Sequence, residues 1–354
     1  MSHKLIYSFL ALGTLTIATA CSSTESVDET LNDGVTVKFT ARTTDSRANY
    51  ITTNTLIKNS PFLVYGDMVP TASASTATPS IVFSGTSVTC DKSTNTWQYA
   101  NPQYWFPGHT HSFVAVHPGN TTELSNFQYQ NGTLSFTYTL PENYKAAHDL
   151  ITATHRRNYT LGAETTAPVA FQFNHALSRI NFYAQVKNSQ ETPIVIDQLT
   201  LQNVHTSATY TISPASIVSG ISTDDFSGEW SNHNEIPERG NLLFEYSMNP
   251  DDNGIIKGER RSLFGGTNLL FVVPQTIPEN ILLSIKYHAK TEGAQIIEDS
   301  AMLYPFTLQH GGEWLPGKSY TYTFSIGTDT DITFKAPVVE SWDESLGGNY
   351  IIAD

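Results

Sequence analysis

Nearly every periodic run in this sequence repeats every second residue. "VTVKFTA" from Val35, "PFLVYGDMV", "SFVAVHP", "LSFTYTL", "RINFYAQV", "ILLSIKYHA" and "SYTYTFSI" all alternate or are apolar throughout. They are rich in Val, Ile, Thr, Tyr and Phe, and Gly, Pro, Asn and Asp separate them, which is the chemistry of short strands punctuated by turns. Helical periodicity is confined to short pieces, the best being "PENYKAAHDL" from Pro141. Such a chain can hide its apolar faces only by packing sheet on sheet, so the pattern predicts an all-β protein built of β-sandwiches. No fixed-period repeat occurs, which argues against a propeller or solenoid.

One run breaks the rule in the middle. In "FQFNHALSRINFYAQV", Phe171, Phe173 and Leu177 share one parity, whereas Ile180, Phe182, Ala184 and Val186 share the other. A slip of one residue turns a whole strand face from core to solvent, so a reversal inside a continuous run demands a bulge or a passage from one packing layer to another. His175 and Arg179 flank the reversal. Polar side chains there are expected to satisfy the backbone groups left unpaired, a structural task rather than a chemical one.

The N-terminus reads as a targeting segment, residues 1–20. Lys4 precedes an apolar stretch of about sixteen residues, shorter than the roughly 20 that a spanning helix needs, and small residues follow it up to Cys21. "ATAC", with Ala18 and Ala20 before Cys21, resembles a bacterial lipobox; cleavage there would leave an acylated Cys21 and hold the protein on a membrane. The competing reading is an ordinary signal peptide. From Cys21 to Asp33 the residues are almost all polar and suit a tether. The remaining chain of about 330 residues suggests two domains at roughly 150 residues each. Cys21 and Cys90 are the only cysteines, so lipidation of Cys21 removes any intrachain disulfide and ordinary cores must hold the fold. A net charge of −14 excludes the basic face that nucleic acid requires.

Chemistry is sparse. His109, His111 and His117 share one strand parity, and a pair two residues apart can converge on a metal, but no HExxH or Cys cluster completes a zinc site. Asn249, Asp251, Asn253 and Gly254 open like a calcium loop, whose twelfth position would be Arg260 where a carboxylate is needed. No GxSxG or phosphate loop occurs. No cofactor is implied, and an enzyme is the weakest class.

"VAFQFNHALSRINFYAQV" resembles the segment that opens the C-terminal half of fimbrillin-family proteins of Bacteroides-type bacteria. "VKFTARTTDSRA", "YWFPGHTHSFVAVHP", "DLITAT" and "WLPGKSYTYTFSIGTDTDITFKAPVVESWDE" resemble the same family in the same order. The resemblance implies two tandem transthyretin-like β-sandwiches, divided in the polar stretch "YTLGAETTAPVA" into residues 48–167 and 168–354. It also implies a fimbrial subunit or adhesin component, exported as a lipoprotein to the outer membrane. Residues 21–47 would hold the tether and an N-terminal strand, "VTVKFTA", removed by an Arg-specific protease at Arg47 or Arg42. A strand of another subunit would then fill the groove; the alternative is a permanent strand in an uncleaved protein.

The end, "FKAPVVESWDESLGGNYIIAD", supplies a candidate donor strand: Val338, Val339 and Trp342, then Tyr350, Ile351 and Ile352 beyond a Gly-Gly connection. The alternative is that these residues complete the C-terminal sandwich of their own chain. Expected partners are other fimbrial subunits, the outer membrane through lipid, and a host protein or glycan. The competing function is a monomeric surface lipoprotein that binds glycan on its Tyr and Trp side chains. "DSA" at Asp299 resembles an O-glycosylation signal of the same bacteria.

Overall fold

The computed structural model describes residues 35–43, 57–73, 76–160, 167–214, 217–218, 221–222, 228–235, 242–249, 252–264, 270–278, 281–293, 295–302, 312–327 and 332–341. The first strands in chain order are β1 (Phe39–Thr43), β2 (Phe62–Pro70), β3 (Ser80–Asp91), β4 (Thr96–Gln98), β5 (His109–His117), β6 (Leu124–Gln130), β7 (Thr133–Thr139) and β8 (Ile151–Tyr159). Then come β9 (Val169–His175), β10 (Ser178–Val186), β11 (Ile194–Gln202), β12 (Ser207–Ile212), β13 (Ile217–Val218), β14 (Ile221–Ser222), β15 (Gly228–Ser231), β16 (Leu242–Tyr246) and β17 (Arg260–Ser262). The last are β18 (Leu270–Val272), β19 (Gln275–Thr276), β20 (Leu282–Ala289), β21 (Ile297–Met302), β22 (Glu313–Trp314), β23 (Lys318–Ile326), β24 (Thr333–Phe334) and β25 (Val338–Ser341). The helical candidate from Pro141 yields only a 3-10 turn, Tyr144–Ala146, in which the Lys145 amide donates to the Asn143 side chain. Asn143 takes the Lys145 amide and His148 N donates to the Glu123 carboxylate, so the run does not propagate as a helix.

The N-terminal sheet runs β1-β9-β8-β5-β2-β3-β4 and buries both faces. Alternation along each strand divides its side chains between two cores. Tyr65, Val114 and Val116 face a four-stranded sheet, β15-β12-β7-β6, and meet Leu134, Phe136, Tyr138 and Tyr210. Phe62, Val64, Phe113, Ala115 and Ala153 point the other way, under Trp105 and β1. In the C-terminal part, the sheet β17-β10-β23-β24, with β18 on β10 and β25 on β23, packs on the sheet β16-β11-β20-β21 through Ile180, Phe182, Leu199, Leu283, Ile285 and Phe324. A register shift between Ile196 and Gln198 lets Ile196 and Leu199 both face inward despite their opposite parity.

The parity reversal is a change of sheet. β9 pairs with β8 and β1 in the N-terminal sheet, and two residues later β10 pairs with β23 in the C-terminal one. Phe171 and Phe173 lie in one core, while Ala176, Leu177, Ile180 and Phe182 lie in the other. The crossing residues are held from both sides. Ala176 N donates to Leu150 O at 2.8 Å, Trp230 Nε1 donates to Ala176 O at 2.8 Å, and Gly317 N donates to Leu177 O at 2.8 Å. Arg179 is fully buried and donates from Nε and Nη2 to Ser319 Oγ at 3.2 and 3.1 Å, and His175 Nδ1 lies 2.8 Å from Asp149 Oδ2. Both bind the crossing to its neighbours.

The ladders also pass across residues 167 and 168. β12 and β15, from the later part of the chain, extend the β6–β7 hairpin: Tyr210 pairs with Phe136 and with Trp230. The N-terminal sandwich is therefore completed by strands that follow β10 in sequence.

Candidate assembly site

The segment from Val35 to Thr43 occupies the rim of the N-terminal sheet. Its alternation sends Val37 and Phe39 inward, and they are 1% and 3% exposed. Two kinds of backbone pairing hold it. β1 runs parallel to β9, Phe39 opposite Val169 through Thr43 opposite Phe173. Before the strand, Val37 N donates to Gln103 O at 2.8 Å, Trp105 N to Val35 O at 3.0 Å, and the Tyr99 hydroxyl to Val37 O at 2.6 Å.

Phe39 is the centre of an aromatic cluster. Its ring stacks on Phe171, with centroids 5.5 Å apart and planes at 14°, and meets Phe83 and Tyr99 at 5.4 Å, Phe113 at 6.2 Å and Phe62 at 6.5 Å. Burying Val37 and Phe39 contributes roughly 3–6 kcal/mol at about 1.5–3 kcal/mol per large side chain, an upper bound because unfolded chains also bury surface. Take this segment away, and β9 gains an unpaired edge beside an aromatic trough. Such an edge accepts another extended chain, with main-chain hydrogen bonds for affinity and alternate side chains for specificity.

The structure separates the sequence candidates. Arg42 lies within β1, its backbone opposite Gln172. Cys21, Arg47, Trp342, Tyr350, Ile351 and Ile352 lie outside the described residues. Val338 and Val339 form part of β25, antiparallel to β23 of the same chain, where Val339 lies opposite Tyr320 and packs on the core while Val338 is 45% exposed. Asp299 to Ala301 sits on β21, paired with β20.

The histidines on β5 diverge into separate settings. His111 is fully buried, parallel to the Phe113 ring at 6.3 Å and edge-on to Trp105 at 4.8 Å; burial lowers its pKa to about 3. His109 Nδ1 lies 2.9 Å from Pro107 O, and His117 Nε2 lies 2.7 Å from Ser60 Oγ. Among the described residues, no three His, Cys, Asp or Glu side chains are grouped as metal ligands. In the calcium-like stretch Asp251 is outside the described residues, and Asp252 closes a turn instead: it accepts from Gly254 N at 2.9 Å and from Arg261 Nη1 at 2.6 Å. Arg260 lies over the Tyr183 ring at 3.9 Å.

The fold is thus all-β, with strands passing directly from the N-terminal sheet into the C-terminal one and a short first strand seating Phe39 in an aromatic trough. The fimbrillin-like family profile matches residues 42–342, and the chain belongs to that family. A fimbrial protein from Bacteroides vulgatus shares the fold with a TM-score of 0.56 at 19% identity, over 87% of this chain and 99% of that one. A candidate cell adhesion protein from Bacteroides uniformis gives 0.43 at 14%, over 87% and 98%. The tip fimbrial protein Mfa3 from Porphyromonas gingivalis, with a C-terminal truncation, gives 0.38 at 12%, over 87% and 100%. The sequence matches no curated protein at a significant level.

Proposed function

We propose that this protein is a structural subunit or adhesin component of a cell-surface fimbria, exported as an outer-membrane lipoprotein through Cys21 and assembled by strand exchange. In this reading a protease cuts after Arg47, or after Arg42, and the segment carrying Val37 and Phe39 leaves. A strand from a neighbouring subunit, provided by the chain end that contains Trp342 and Tyr350 to Ile352, takes its place along β9.

The observation that carries the reading is the position of Phe39. It fills a trough lined by five aromatic rings, yet it belongs to a strand at the rim of the sheet whose one ladder partner among the described residues is β9. Burial supplies the affinity that a replacement strand would inherit, and the rim position permits exchange without dismantling the sandwich. Arg47 follows the strand, so a cut there would release all of it.

The deciding experiment is N-terminal sequencing of the mature surface protein, together with antibody labelling of the producing cells in electron microscopy. A start at Ala48 or Thr43, with label along filaments, supports the assembly reading. A protein that retains Val35 to Thr43 in its assembled form, or diffuse label with no filaments, rejects it.

A further inference from the structure

The face of the N-terminal sheet opposite the first strand carries a second feature. Across β2, β5 and β8 the register aligns residues in rows: Leu63 with Val116 and Thr152, then Tyr65 with Val114 and Thr154, then Asp67 with Ser112 and Arg156. The first two rows serve the core, but the third replaces apolar contact with a carboxylate, a hydroxyl and a guanidinium side by side. Over that row the tight β6–β7 turn, with Asn131 and Gly132 both at positive φ, and the Ser213–Pro214 end of β12 enclose a cavity of about 540 Å³. Thr76 to Pro79 also line it, with Thr76 and Thr78 exposed.

Asp67 is only 3% exposed, and its Oδ2 has no hydrogen-bond partner; nor has the buried Tyr129 hydroxyl beside it. Burial raises the Asp67 pKa, while the Gly132 amide, Arg156, Tyr129 and Ser112 favour its charged form. A buried acceptor left open is uncommon in native proteins and commonly marks a functional position. Here it lines a cavity whose size falls in the range of about 300–1,000 Å³ that small-molecule sites occupy.

We propose that this cavity binds a neutral, hydroxyl-rich ligand, a mono- or disaccharide. Charge selects the class. Asp67 and Arg156 balance each other, so a metal ion or ammonium group would meet the guanidinium and an anion would meet the carboxylate. A sugar hydroxyl both donates and accepts, and can give its proton to Asp67 while receiving one from Arg156 or Ser112. The site lies on the opposite face from the trough that holds Phe39, so ligand binding and strand exchange are separable properties.

The test titrates a panel of neutral mono- and disaccharides into the full mature chain, by ligand-observed NMR and then calorimetry. Asp67→Asn keeps the shape and removes the charge. Thr78→Trp, at an exposed position of the lining, obstructs the cavity without touching the buried row and covers the case in which the first variant folds poorly. The expected result is binding of at least one neutral saccharide by the parent, weakened tenfold or more in each folded variant, with neither calcium nor phosphate competing. Absence of saccharide binding by the parent, binding unchanged in Thr78→Trp, or a site that takes calcium or phosphate instead overturns the proposal. Polymer assembly measured on the same variants is expected to be unchanged, which keeps this outcome distinct from that of the fimbrial reading.

Discussion

Phe39 shows how much of a β-rich architecture can depend on a single ring. Truncation to Ala leaves a void between Phe62, Phe83, Phe113 and Phe171, and a fully buried aromatic lost in this way costs about 3–5 kcal/mol. Phe39→Ala is therefore expected to lower the urea midpoint substantially in the uncleaved protein. In protein already processed at Arg47 the same substitution is absent from the chain, and stability should match the processed parent. An effect below about 1 kcal/mol in the uncleaved form would contradict the packing role given to this ring. Buried histidines set a second residue-scale expectation. Burial holds the pKa of His111 down to about 3 and that of His155 to about 4, below an ordinary 6.5. The unfolded chain therefore binds protons that the folded one refuses. The stabilisation is whole above pH 6.5 and is lost as pH falls toward the folded values, by roughly 2 kcal/mol for each residue at pH 5. Denaturant midpoints measured from pH 7.5 to 4.5 should fall accordingly, and replacing both residues by Gln should flatten that part of the profile.

At the scale of the element, the reversal between Leu177 and Ile180 was legible because parity is a local property, and the layer change it demanded is the passage from β9 to β10. The pairing of β7 with β12 was not legible. Strands so distant in sequence leave no mark on each other's local pattern, and either hairpin reads as self-sufficient. Asp67 was hidden for a related reason: within "PFLVYGDMV" it reads as an ordinary interruption of a strand, and only the register across β5 and β8 shows Ser112 and Arg156 beside it. The first strand suggests a protease experiment. Trypsin at low dose is expected to cut the folded precursor first after Arg47, in the polar stretch that follows β1, because Arg42 is tied into the ladder opposite Gln172. First cuts at Arg156 or Arg260 would remove the basis for processing at the N-terminal segment. The chain end makes the complementary case. Val338 and Val339 pair in cis with β23, and under the proposed donor role of the chain end, deleting Gly347 to Asp354 should leave a folded, thermally near-normal monomer that no longer polymerises after processing. Assembly that survives the deletion would exclude this segment as the donor.

At the scale of the whole molecule, these pairings predict that it unfolds as one cooperative body. One apolar cluster extends from Val114 and Phe136 through Leu177 and Ile180 to Ile285 and Phe324, and the N-terminal sandwich depends on β12 and β15 for its outer sheet. A fragment ending at Ala167 would lack β9, β12 and β15, expose both cores and leave β7 with an open edge. It is expected to aggregate or to give a collapsed one-dimensional NMR spectrum, whereas the chain from Val35 to Asp354 gives a dispersed one. A dispersed spectrum from the fragment would show that the sandwich is autonomous after all.

The direct passage from β9 through Ala176 and Leu177 into β10 also decides how tension would travel. Pulling the N-terminal sandwich away from the finish of β23 draws β10 by its start and the parallel β23 by its end. The two strands are then dragged lengthwise past each other, so the bonds from Arg179–Ser319 to Val186–Ile326 resist together instead of parting one at a time. Single-molecule extension between the N-terminal sandwich and Gly327, just past the finish of β23, should give one high rupture force for this pair, and a low force with gradual peeling would refute the geometry. In the proposed filament, flow along the axis would load these sheared ladders in every subunit.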